Sequence, residues 1–146
     1  MRESTCSFIE HDVVSNLKQK RTLKKFLAKL IYQYTERSSN LQFVFCSDKF
    51  LLGINKEFLD HDTFTDIITF DLSASKKDTL DAEIYISIDR VKENAQAHQT
   101  TYQQELLRVI FHGALHLCGF NDKSKKQQIE MREREDDLLI DYFAMP

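Results

Sequence analysis

At 146 residues the chain has the length of one domain, and its 42% hydrophobic and 29% charged content is that of a globular protein. One proline and three glycines are too few for a collagen-like chain, a Pro-rich module or a many-stranded sandwich. Twenty Lys/Arg against 23 Asp/Glu give a net charge of −3, so bulk charge does not mark a nucleic-acid binder.

The elements follow in chain order. Cys6 to Ile9 reads as a short strand. From about Thr22, the residues Leu23, Phe26, Leu27, Leu30, Ile31 and Tyr34 form one apolar stripe at helical spacing. Leu41 to Cys46 is short, apolar and aromatic and reads as a second strand, and Lys49 to Phe58 as a short helix. Asp66 to Phe70 is β-branched and aromatic, a third strand. The polar run Ser73 to Asp78 is a loop. Glu83 to Ile88 alternates, with Ile84, Ile86 and Ile88 on one face, giving a fourth strand. Asp89 is the expected cap of a helix running to about His98. A longer helix opens at Thr101 or Tyr102 and runs to about Cys118, and a last one spans about Ser124 to Phe143 with Ser124 as N-cap. The sum is an α+β fold in a single domain, residues 1–146, with roughly four strands and five helices.

No apolar run approaches the length of a membrane span, and the first ten residues lack the regions of a signal peptide. Cys6, Cys46 and Cys118 are odd in number and far apart, so a complete disulfide framework is impossible. The expected setting is reduced and cytoplasmic. Charge is unevenly spread. Residues 1–60 carry ten Lys/Arg against seven Asp/Glu, and residues 61–146 ten against sixteen. Six cations and no acid lie between Leu17 and Ile31. Lys24 and Lys25, on the polar side of the first helix, are candidate RNA contacts; a solvated helix face explains them equally in kind.

The chemistry concentrates in one segment. His112 and His116 stand at i and i+4 on a predicted helix, so their Cβ atoms stack about 5–6 Å apart on one face. Two imidazoles so placed can converge on one Zn²⁺. Gly119 falls where the helix should end and can reverse the chain. Asp122 can then return as a third ligand, which leaves a fourth position open for water, as in catalytic zinc sites. The competing reading is two core histidines followed by an exposed acid. Cys118 lies off the histidine face, and packing is its default role. The spacing is that of the zinc-peptidase helix HExxHxxGxxH, but the position of the Glu general base is Gly113, which argues against a peptidase.

These residues resemble the YbeY-type endoribonucleases. That family's H-G-x-L-H-L-x-G-[YF]-x-H reads here His-Gly-Ala-Leu-His-Leu-Cys-Gly-Phe-Asn-Asp, from His112 to Asp122. Glu105, seven residues before His112, matches a frequent family acid. The stretch from Ile54 to Phe70 matches a second block, and Ala82-Glu83-Ile84-Tyr85-Ile86-Ser87 a third. The resemblance implies a mixed four-stranded sheet with the metal site at the end of a helix. It also implies a single-strand-specific, metal-dependent endoribonuclease with one Zn²⁺ per chain. Such an enzyme matures the 3′ end of the small-subunit rRNA and serves ribosome quality control, with rRNA, the small subunit and ribosome-assembly proteins as partners. The chain departs from the family in three places. Asp122 replaces the usual third His, Leu59 stands where the family has Arg, and Ala82 replaces a Gly. No general base is evident. The candidates are a metal-bound water assisted by Glu105, His61 or Asp66. Glu105 can orient a ligand or pair with Arg108 at i+3. Two other classes stay open: a zinc hydrolase of another substrate, and a noncatalytic ribosome-assembly factor with a structural metal, which Leu59 favours.

Overall fold

A computed structural model describes residues 3–59 and 65–145. Nine elements follow one another: β1 (Thr5–Glu10), α1 (Lys20–Thr35), β2 (Ser39–Cys46), α2 (Asp48–Leu59), β3 (Ile67–Asp71), β4 (Leu80–Ser87), α3 (Ile88–Ala97), α4 (Tyr102–Leu117) and α5 (Lys125–Phe143). The sheet order is β1-β2-β4-β3. The first three strands in that order run parallel, and β3 joins β4 antiparallel at the edge. A parallel neighbour needs a crossover, and α1 supplies it between β1 and β2. The expected mixed four-stranded sheet with five helices is the observed architecture.

The alternation of β2 and β4 sends Leu41, Phe43, Phe45, Leu80, Ile84 and Ile86 to one face. There they meet Leu23, Leu27 and Ile31 of α1 and Leu106, Ile110 and Phe111 of α4 in the main core. A smaller cluster on the opposite face joins Leu51 and Ile54 of α2 to Cys46 and Ile68. Each fully buried Leu, Ile or Phe contributes roughly 1.5–3 kcal/mol, so burial of these two clusters dominates stability.

Two boundaries differ from expectation for one reason. Ile88 is the first residue of α3 and not the last of a strand, and the cap is Ser87, whose Oγ accepts from Arg90 N at 3.1 Å. Asp89 does not cap its own helix. Its Oδ2 accepts from Asp48 N at 2.9 Å and so caps the start of α2. A serine two residues upstream satisfied the same orphan donors first, which freed the aspartate for a neighbour. Ser124 is the N-cap of α5, in a reciprocal capping box with Gln127. Among the described residues no helix is long and apolar enough to cross a membrane.

Candidate metal centre

Helix α4 lies against the β3–β4 half of the sheet, and Gly113 makes that approach possible. A Cβ there would stand 2.9 Å from Ile67 Cδ1 and 3.2 Å from Ile84 Cγ2. The missing side chain is therefore a packing requirement. It faces the sheet, and a side chain there would have to push Ile67 and Ile84 aside. The neighbouring face of α4 carries His112 and His116 to the open side.

The helix ends in a two-bond reversal. Phe120 N donates to Leu115 O at 3.1 Å and Gly119 N to His116 O at 3.0 Å, with Gly119 at φ +100°. That left-handed position is costly for any residue with a Cβ. The turn is held from outside by Phe120, whose ring meets Tyr34 edge-on and lies under the Arg134 guanidinium at 4.2 Å.

The reversal returns Asp122 to the histidines. Its Oδ2 lies 3.3 Å from His112 Nε2 and 3.5 Å from His116 Nε2, and the two Nε2 atoms are 3.1 Å apart. A tetrahedral ion bound at about 2.0–2.1 Å to each donor sets its ligand atoms about 3.3 Å from one another. The three observed separations bracket that value. Two neutral imidazoles and a carboxylate are also a donor set that zinc and other first-row divalent ions accept. The residues fit a divalent metal.

His112 is held from behind. Its Nδ1 lies 2.6 Å from Glu135 Oε2. The other oxygen, Oε1, accepts from Arg108 at 3.1 Å, and Arg108 reaches Asp136 at 2.6 Å. Glu135 and Arg108 are both buried. A proton on Nδ1 leaves the Nε2 lone pair facing Asp122 and His116, the tautomer that a metal requires. Burial alone pushes the His112 imidazolium down. The Glu135 bond, with the charges of Glu135, Asp122 and Asp66, outweighs it, and the net shift is upward. Sequence reading missed Glu135. Its signal was present: Met131, Glu135, Leu139 and Tyr142 are the buried residues of α5 and share one helical face, so an acid interrupts an apolar stripe.

The remaining candidates fall in different places. Asp66 lines the cavity of about 560 Å³ that contains His112, His116 and Asp122, and burial pushes its carboxyl up. Leu59 lines the same cavity. Glu105 makes no contact with the candidate ligands His112, His116 and Asp122 and does not pair with Arg108. It is buried, with Oε1 at 3.6 Å from His98 Nδ1, in a smaller adjoining cavity shared with Arg108 and Glu135. His61 lies outside the described residues. Lys24 and Lys25 line a cavity with Thr5, Cys6 and Leu41 at the β1 edge. Three strand spacings, about 14 Å, separate that edge from β3, so the structure does not bring these lysines to the ligand cluster. Burial pushes the Cys118 thiol up to about 12, which suits a packed side chain and not a thiolate ligand.

Fold and site together define an α+β protein with a His-His-Asp group that could hold a metal ion, at the end of a core helix and open to a cleft. Comparison with known proteins narrows the class. The family model described as Endoribonuclease YbeY matches residues 7–142, and the chain belongs to that family. A relative of that name from Cytophaga hutchinsonii is 43% identical over 139 residues, covering 95% of this chain and 96% of its own. One from Porphyromonas gingivalis is 43% identical over 84% of this chain and 80% of its own. A Thermotoga maritima protein solved in solution shares the fold, with a TM-score of 0.63 at 24% identity, over 95% of this chain and 89% of that one.

Proposed function

We propose that this chain is a single-strand-specific endoribonuclease that requires one divalent metal, zinc in the first instance, held by His112 Nε2, His116 Nε2 and Asp122 Oδ2. The observation that carries the reading is the near-equal spacing of those three atoms at the wall of an open cavity, in a chain of an endoribonuclease family. When bound, the metal supplies Lewis acidity toward a phosphodiester oxygen and acidifies water.

The chain's own groups do the rest. Glu135 Oε2 keeps the proton on His112 Nδ1 and fixes the ring. Gly119 and Phe120 set the turn that delivers Asp122. Asp66, beside His112 in the cavity, is the carboxyl placed to move a proton between water and a leaving oxygen. Replacement of the family Arg by Leu59 leaves the described lining of this cavity without a Lys or Arg. Phosphate charge must then be met mainly by the metal, so turnover is expected to be slow. The substrates we propose are rRNA precursors, foremost the 3′ end of the small-subunit rRNA, with the small subunit and its assembly proteins as partners, in the cytoplasm and in ribosome quality control.

Cleavage of a labelled single-stranded RNA tests the reading, with chelator and then with Zn²⁺ restored. Cleavage that stops with chelator, returns with Zn²⁺ and spares a duplex of the same sequence is expected. A metal-loaded protein that leaves single strands intact would overturn it and favour the noncatalytic assembly role that Leu59 suggests.

A further inference from the structure

The ladder between β3 and β4 fixes which backbone groups of β3 are used. Ser87 N donates to Asp66 O at 2.9 Å and Leu72 N to Asp81 O at 2.7 Å. With Ile68 opposite Tyr85 and Phe70 opposite Glu83, the even-numbered residues turn their N–H and C=O toward β4. The odd-numbered residues Ile67, Thr69 and Asp71 therefore turn theirs outward. The Thr65 hydroxyl donates to Ile67 O at 3.4 Å, which agrees with that direction. Because β3 ends the sheet, no described strand pairs with this edge. The same three residues line the cavity that holds His112, His116 and Asp122.

We propose that the free edge of β3 is the base-binding subsite for the RNA strand, with the outward N–H groups of Ile67, Thr69 and Asp71 and the carbonyls of Thr69 and Asp71 hydrogen-bonding exposed base edges beside the metal centre. This rests on the RNA reading above. An open strand edge is a row of alternating donors and acceptors repeating every two residues, about 6.8 Å. Unstacked bases offer donors and acceptors on their Watson–Crick edges, within reach of one such repeat per nucleotide. Charge decides the orientation. Asp66 and Asp71 line the cavity beside the metal ligands, so a phosphate backbone laid along the β3 floor would be repelled, whereas neutral bases are not. The phosphates then face solvent, apart from the one at the metal. In a duplex the base edges are already paired, so the strand edge finds no partner. Preference for single strands follows from β3 itself and needs no reader side chain.

Amide hydrogen exchange of the metal-loaded protein tests this, read at Ile67, Thr69 and Asp71 with and without a single-stranded 2′-O-methyl octanucleotide. Exchange at all three is expected to slow at least about tenfold with the single strand and not with its duplex. Ile68 and Phe70, already in the ladder, should not change. A second arm uses Thr69→Pro, which deletes one outward N–H at a position where an edge strand tolerates proline. It should weaken single-strand binding about threefold to tenfold with metal content unchanged. Oligonucleotide that binds without slowing the three amides overturns the subsite and leaves the endoribonuclease reading standing. Absence of any binding overturns both. An extended peptide that protects these amides where RNA does not would show the edge to be a peptide-docking strand, and overturn the proposal. If Thr69→Pro does not fold, the exchange data on the native chain decide.

Discussion

Glu135 lies outside the signature helix, yet it controls one of the three proposed ligands, and Glu135→Gln isolates that control. The carboxylate accepts from His112 Nδ1 at 2.6 Å and from Arg108 at 3.1 Å. A glutamine has the same shape but only one acceptor oxygen. If that oxygen stays on His112, the amide NH₂ faces the Arg108 guanidinium, donor against donor. If it turns to Arg108, the NH₂ faces Nδ1, and the ring proton moves to Nε2, where it blocks the metal. Either orientation weakens the centre. Loss of such an outer partner typically costs 10- to 100-fold in metal affinity, about 1.4–2.8 kcal/mol. Arg108 keeps Asp136 at 2.6 Å, so the variant should fold with a loss of about 1–2 kcal/mol. Competition with a fluorescent zinc chelator reads the affinity, and thermal unfolding monitored by circular dichroism reads the fold. Wild-type metal affinity in folded Glu135→Gln would refute the argument that the buried carboxylate sets the His112 tautomer.

Three other substitutions probe separate parts of the site. Gly113→Glu would push a carboxylate into Ile67 and Ile84. We expect a loss of about 3 kcal/mol or more, near 10 °C in Tm, and an unchanged melting curve would contradict the packing account. Asp122→His should retain metal and shift preference toward zinc, because imidazole is the softer donor; loss of metal from a folded variant would count against this position as a ligand. Lys24→Glu with Lys25→Glu should leave metal content unchanged. If α1 touches RNA, the double variant should lower the salt slope by about 0.7 for each phosphate that is no longer neutralised, and unchanged affinity at low salt would make α1 only a solvated cover of the sheet.

Much of this was legible in the sequence because the signals are local. The stripe from Leu23 to Ile31 marks the buried face of α1 by its period alone. His112, His116, Gly119 and Asp122 lie within eleven residues, so helix geometry and one reversal bring them together. The interactions that escaped are long-range. Glu135 is 23 residues from His112 and 27 from Arg108, and no local rule connects them. Arg108 had a nearer acid at i−3, Glu105, but two acids on α5 drew it away. In the sequence Gly113 marks only the absence of a general base, because its closeness to the sheet depends on the distant strands β3 and β4. Asp89 showed the limit of capping rules, since Ser87 was as good a cap and stood two residues earlier.

The proposed function requires His112, His116 and Asp122 to hold one divalent metal. Elemental analysis of freshly purified protein beside His116→Ala tests it most directly, because the substitution removes one of three donors from a half-buried position and leaves the core of α4 intact. About one ion per chain is expected in the native protein. In the variant we expect less than about a tenth of that, with an unchanged circular dichroism spectrum and with cleavage of single-stranded RNA lost in parallel. Undiminished metal in a folded His116→Ala protein would contradict the assignment.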